Sequence, residues 1–426
     1  MRRAASERLA IEGGPKAVPR PFPAWPSFDR RSERQVVEIF RSGKVNYWTG
    51  PVGRSFEDAF AAWLGTRNAV SVSSGTAALH LALTALDVGS GDEVICTSYS
   101  FIASSFCALQ CGALPVFCDV GADHLIDPAK IEACVTKRTK AIVVVHLFGV
   151  VADMDPILAV AKRHGLLVVE DCAQCLGGVY KGRKVGTLGT VGCFSFCQAK
   201  HITTGGEGGM VCCNDDDTAW EVRALRDHGF DVKAKLAPCK GAASAQYVHR
   251  RVGYNFRLTE IQSAIGLGEL RRLDSWNLPR RRKLGRALMD ALKDHPLVKI
   301  PPVDTPERQN AFWLVPFVLD ADRLRVPVSQ FVRAVQAEGA GAYAILWPEM
   351  YREDAYRLRR GFGSRAYPFG DPANRKIDYV KSFCPMAHAL NGATIGFWTH
   401  PTYTLANIRS DVRAFEKVYA AYARSC

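Results

Sequence analysis

The sequence predicts an α/β protein built on a large, mostly parallel mixed sheet, with a smaller α/β domain after it. Two observations carry this reading. Between residue 69 and about 213, short apolar runs rich in β-branched residues alternate with segments of helical spacing. That is the pattern of strands buried on both faces and joined by helical crossovers. The chain also has 426 residues with 48% hydrophobic content, enough for a large domain and a second core.

The elements follow in order. Residues 1–30 are rich in Pro and Arg and read as an irregular N-terminal arm. A helix is predicted over 54–64, with Phe56, Phe60 and Leu64 on one face. Strands are predicted at 69–72, 93–96, 114–117, 141–146 and 166–170, with helices over about 76–86, 102–111 and 155–164. The rhythm stops over 213–250, where an Asp-rich stretch leads into a Lys- and Ala-rich loop. Residues 258–294 read as a long helix interrupted near Pro279. The domains are therefore drawn as 31–270 for the large one and 271–426 for a linking helix and the small one. The small domain carries a strand at Phe312–Val318, an amphipathic helix near 328–338 and a final helix near 408–424. There are no internal repeats.

The bulk properties exclude several classes. No apolar run approaches the roughly 18 residues of a membrane helix, and no apolar signal core follows the basic start, so a cytoplasmic protein without membrane attachment is expected. The net charge of +13 includes basic runs at Arg250-Arg251, Arg271-Arg272 and Arg280-Arg281-Arg282-Lys283. Such a field attracts phosphorylated ligands. No basic helix interleaved with aromatics and no zinc-finger spacing accompanies it, so nucleic acid is not an expected partner. The fourteen cysteines read as free thiols acting as small buried hydrophobes. Cys172 and Cys175 have the spacing of a zinc or redox pair, but no second pair lies near, and no metal is expected.

The chemistry centres on Cys193-Phe194-Ser195-Phe196-Cys197-Gln198-Ala199-Lys200-His201-Ile202-Thr203-Thr204-Gly205-Gly206-Glu207-Gly208-Gly209. A lysine between a packed strand and a tight Gly-rich turn is held in place, which suits an amine that bonds covalently to a carbonyl cofactor. Read alone, a lysine near glycines favours an ordinary surface lysine beside a flexible loop; the full order, Phe194-Ser195-Phe196, then Lys200, then Gly206-Glu207-Gly208-Gly209, argues against that. Ser73-Ser74-Gly75-Thr76-Ala77-Ala78-Leu79 follows a strand and opens a helix. Its free N–H groups and the helix dipole make a phosphate site, and the same turn also serves as a helix cap. Asp171 ends the run Leu166-Leu167-Val168-Val169-Glu170-Asp171, at the strand end where α/β folds place ligands; as an alternative it caps a helix. Phe101, taken alone, reads as core.

In this order the motifs resemble the DegT/DnrJ/EryC1/StrS family of pyridoxal 5'-phosphate (PLP) aminotransferases of ketosugars and cyclitols. The resemblance runs from Trp48-Thr49-Gly50-Pro51 to Trp398-Thr399-His400. It implies a fold-type-I transferase with PLP as cofactor, held covalently by Lys200. It also implies phosphate contacts from Gly75, Thr76 and Ser195, and an aromatic stacker at Phe101. Asp171 would be the acid partner of the ring nitrogen, and Gln174 would bond the phenolic oxygen. Gly253-Tyr254-Asn255-Phe256-Arg257 resembles the family's Gly-Tyr-Asn-x-Arg motif. There the Asn reaches the phosphate in the partner subunit, which implies a homodimer with shared sites.

The implied reaction moves an amino group from glutamate or glutamine to a ketosugar or ketocyclitol, as in amino-sugar, aminocyclitol and antibiotic biosynthesis. Phe22-Pro23-Ala24-Trp25-Pro26 and Phe397-Trp398-Thr399-His400 resemble the aminocyclitol and aminohydroxybenzoate-synthase branch, with His400 as the candidate substrate contact. The alternatives are a nucleotide-linked ketosugar as acceptor and a dehydratase or cyclising enzyme of the same family. The family's sugar 3-dehydratases have His at the position of Lys200, which argues against the dehydratase. A non-catalytic regulator fits least.

Overall fold

The computed structural model describes residues 8–236, 248–345 and 347–424; part of the Lys- and Ala-rich stretch, with Cys239, and Cys426 lie outside them. The strands are β1 Asn68–Val72, β2 Glu93–Thr97, β3 Leu114–Cys118, β4 Thr139–Val145, β5 Leu167–Asp171, β6 Val179–Tyr180, β7 Arg183–Lys184, β8 Val191–Ser195 and β9 Gly209–Cys213. The later ones are β10 Val298–Ile300, β11 Arg308–Gln309, β12 Leu314–Leu319, β13 Ala342–Ala344 and β14 Thr394–Trp398. Seven of them form the large sheet in the order β1-β9-β8-β5-β4-β2-β3. The run from β8 to β3 is parallel. β9 pairs antiparallel with both β8 and β1. The reason is local: residues 196–208, which join β8 to β9, contain no helix to carry the chain across the sheet, and the Gly-rich loop turns it back beside β8.

Register places the chemistry. Val145 pairs with Asp171, and Asp171 with Cys193, so three parallel strands end together. Gly209 pairs with Ser195 on one side and Val72 on the other. A Cβ on Gly209 would stand 2.4 Å from the Ser74 carbonyl oxygen, so glycine lets the 73–76 turn close onto this edge.

The smaller sheet is antiparallel, in the order β10-β12-β14-β13, and β11, β6 and β7 make a third. One core surrounds the large sheet. A second holds Leu284, Leu288, Phe317, Phe331, Phe397 and Phe415. The arm docks on the second core: Leu9 is buried there, and the Val18 N–H donates to the Glu338 carbonyl at 2.9 Å. Residues between β13 and β14 cross back, with Tyr351, Tyr356 and Tyr379 buried in the first core.

Two elements differ from the sequence reading. The interruption of the 258–294 helix precedes Pro279. Helix Glu260–Arg271 ends in a π-turn over Leu273–Asn277, and a new helix, Leu278–Leu292, begins after it. Pro279 sits in that helix's first turn, where its missing N–H costs nothing. The last helix starts earlier, at Leu405, because Thr404 and Asn407 form a reciprocal cap.

Candidate active site

A cavity of about 420 Å³ opens at the carboxyl ends of the parallel strands. Gly75, Thr76, Phe101, Asp171, Gln174, Ser195 and Lys200 all line it. The sequence reading singled out these seven; the tertiary structure brings them to one place.

The turn after β1 ends on Ser74, whose hydroxyl accepts from the Ala77 N–H at 3.1 Å. That capping bond leaves the first-turn N–H groups of Gly75 and Thr76 for an anion. A Cβ on Gly75 would meet the Ser195 Cβ at 2.7 Å, so the turn and the end of β8 touch. The Thr76 and Ser195 hydroxyls complete a cradle suited to a phosphate.

Opposite it, the Asp171 carboxylate is buried and accepts from Ser104 Oγ at 2.7 Å and from the Ala173 N–H at 3.1 Å. Burial pushes its pKa up, against those two bonds and the charge of Lys200. Gln174 Oε1 accepts from the Phe148 N–H at 2.9 Å. Because a backbone N–H can only donate, this bond fixes the amide, and Gln174 presents Nε2 as its remaining donor. Phe101 is 55% exposed, so it is not the core residue that its sequence alone suggests. Its ring lies edge-on to Trp347, 6.4 Å between centroids.

Lys200 Nζ stands 4.4 Å from the centre of the Trp313 ring. Loss of water holds its pKa below the ordinary lysine value, against the pull of Asp171. A lysine that deprotonates more readily has more of its amine in the neutral form, the one that acts as nucleophile or base.

Two predicted residues lie elsewhere. Asn255 is exposed and outside the cavity lining of its own chain. His400 is not among the lining residues either. It is sandwiched between Trp25 at 5.8 Å and Trp398 at 5.1 Å, and desolvation lowers its pKa to about 3. The sequence reading missed Ser104, Cys197, Glu207, Trp313, Tyr343 and Trp347 in the lining. Ser104 stands in the same Ser-rich segment as Phe101, a usable signal; Tyr343, in β13, and Trp347, just after it, come from far along the chain with none.

Cys172 and Cys175 are both buried free thiols, and burial raises the Cys175 pKa to about 12. Among the described residues one group has metal-like spacing: His146, Glu170 and Cys172. The His146 and Glu170 atoms are already engaged. His146 Nδ1 accepts from the Ala152 N–H at 3.0 Å, so Nε2 carries the proton and donates to Glu170 Oε2 at 3.1 Å. Glu170 also accepts from the N–H groups of Gly186, Leu188 and Gly189.

Comparison with known proteins gives a consistent picture. The model of the DegT/DnrJ/EryC1/StrS aminotransferase family matches residues 26–377. GDP-perosamine synthase of Caulobacter vibrioides is 44% identical over 272 residues, 63% of this chain and 69% of its own. L-glutamine:2-deoxy-scyllo-inosose aminotransferase of Streptoalloteichus tenebrarius is 33% identical over 91% of this chain and 92% of its own. The crystal structure of an aminotransferase from Psychrobacter cryohalolentis superposes with a TM-score of 0.84 at 35% identity, covering 94% of this chain and 99% of that one.

Proposed function

Because the chain belongs to the DegT/DnrJ/EryC1/StrS aminotransferase family, we propose that this cavity moves an amino group from glutamate or glutamine to the ketone of a free ketosugar or ketocyclitol. The protein is a PLP-dependent aminotransferase of fold type I. When bound, PLP supplies an electron sink for the charge left as the amine-bearing carbon loses its proton. The observation that carries the reading is the meeting of lysine, buried carboxylate and phosphate-sized turn in one cavity.

Each residue then has a task. The Gly75 and Thr76 N–H groups with the Ser195 hydroxyl bind the phosphate. Phe101 covers one ring face. Asp171 holds a proton on the ring nitrogen, and Gln174 Nε2 donates to the phenolic oxygen. Lys200 Nζ, once free, takes the proton from one carbon and returns it to another. Trp313 and Trp347 keep water away from that exchange.

A free ring is favoured as acceptor because Lys200 is the sole basic side chain among the lining residues, while Phe101, Trp313, Tyr343 and Trp347 offer aromatic faces. A nucleotide diphosphate would need more cations than the described residues place there. A homodimer belongs to the same reading. Asn255 is exposed beside Val252, which is 88% exposed, as a residue serving a neighbouring chain would be. So does a cytoplasmic location, since the twelve described cysteines are free thiols.

The test is Lys200→Ala. The parent shows visible absorbance from lysine-bound cofactor and exchanges amino groups with glutamate or glutamine; the variant folds but loses both. Unchanged absorbance in the variant removes Lys200 from its role. A strict requirement for a nucleotide on the acceptor replaces the free ring with the nucleotide-linked alternative.

A further inference from the structure

Lys200 lies in a loop, residues 196–208, that belongs to no strand or helix. Backbone carbonyls in such a buried loop need partners. Three consecutive ones find them in side chains from three distant parts of the chain. The Ala199 carbonyl accepts from Trp313 Nε1 at 2.7 Å. The Lys200 carbonyl accepts from Trp25 Nε1 at 3.1 Å. The His201 carbonyl accepts from Asn277 Nδ2 at 2.5 Å. These donors belong to the residue just before β12, the N-terminal arm and the π-turn between the two linking helices.

Each donor is itself held. Trp313 packs edge-on against Trp398 at 5.1 Å, and the same ring faces Lys200 Nζ. Trp25 stacks on His400, with the buried Arg281 guanidinium 5.2 Å from its ring. Arg281 Nε donates to Asn277 Oδ1 at 2.8 Å, which fixes the amide so that Nδ2 points at the His201 carbonyl. His201 adds a bond from its ring to the Ala311 carbonyl at 3.1 Å. The π-turn has a purpose here: it places Asn277, fully buried, beside the lysine loop.

We propose that Trp25 and Asn277, which do not line the cavity, are positioning residues for Lys200. Together with Trp313 they form a clamp on the carbonyls of residues 199–201 that aims the amine. The clamp rests on the assignment of Lys200 above. It also gives the arm and the π-turn a part in the chemistry without touching substrate. His400, the predicted substrate contact, acts through Trp25 instead.

The experiment replaces Trp25 by benzothienylalanine, an isostere with sulfur where the indole has N–H, alongside Trp25→Phe and Asn277→Ala. Two readouts are made beside melting temperature. One is the single-turnover rate with saturating amino donor. The other, on cofactor-free protein, is the pH dependence of Lys200 labelling by an amine reagent, followed by mass spectrometry. The isostere is expected to melt close to the parent, to lower the saturated rate about tenfold with the donor's half-saturation within about twofold, and to shift the labelling profile. Asn277→Ala should do the same and also destabilise. A saturated rate and labelling profile equal to the parent's in both the isostere and Asn277→Ala would overturn the clamp. The parent and Lys200→Ala, run alongside, separate this from failure of the lysine's own assignment: there the parent's cofactor absorbance would survive in Lys200→Ala.

Discussion

Ser104→Ala should move the acid limb of the amino-transfer reaction upward in pH. Ser104 Oγ donates to Asp171 Oδ2 at 2.7 Å, and the Ala173 N–H to Oδ1 at 3.1 Å, so the substitution removes one of the two hydrogen bonds that stabilise the ionised carboxyl. Burial already raises this group's pKa. A hydrogen bond to a charged group is worth about 1.5–3 kcal/mol, and a pKa unit about 1.4 kcal/mol, so the loss corresponds to about one to two units upward. The role assigned to Asp171 needs the ionised form, so activity falls as pH drops through its pKa, and the variant falls earlier. The assay is the rate of the half-reaction with amino donor across pH, by stopped-flow absorbance, with Ser104→Thr as the control that keeps the hydroxyl. The sign also holds for stability. A folded Asp171 with raised pKa binds its proton more tightly than the unfolded chain. Cofactor-free protein therefore loses stability as pH rises from the unfolded value, about 3.9, through the folded one, and more so in Ser104→Ala. An acid limb that stays where the parent has it would refute the assignment of Asp171 to the ring nitrogen.

Three further outcomes follow from the geometry. Gly75→Ala puts a Cβ 2.7 Å from that of Ser195, a contact no side-chain rotation relieves, so the turn and the end of β8 must move apart; PLP affinity should fall at least about tenfold, read by fluorescence titration, and the cofactor-free protein should melt lower than the parent. Glu57→Ala strips the buried Arg226 of its carboxylate partner, 2.5 Å away, and releases the Ser71 N–H beside the phosphate turn; a loss of about 3–5 kcal/mol in urea unfolding is expected. Mixing inactive Lys200→Ala with inactive Asn255→Ala chains should restore part of the activity, because one site of the mixed dimer keeps both residues; no recovery after verified subunit exchange argues against a shared site.

Much of this protein is legible along the chain, because the relevant signals are local. Alternating apolar runs predicted the parallel strands, and the structure has them at nearly the same residues. Gly75, Thr76, Asp171 and Lys200 stand in local patterns that point to a site, Phe101, Gln174 and Ser195 are named through the family resemblance of their motifs, and all seven line the cavity. What the sequence left undecided depends on contacts between residues far apart in it. Nothing near Trp25 signals that its indole meets the Lys200 carbonyl 175 residues away. Nothing near Trp347 signals that the chain returns it to Phe101. Asn277 reads as an ordinary helical residue until the π-turn rotates it inward, and His400 reads along the chain equally as a substrate contact or a packed core histidine, while the structure stacks it between two tryptophans. Local periodicity specifies elements and their ends; which backbone carbonyl a side-chain donor satisfies is settled only when separate elements pack, since that choice is made by the geometry between them.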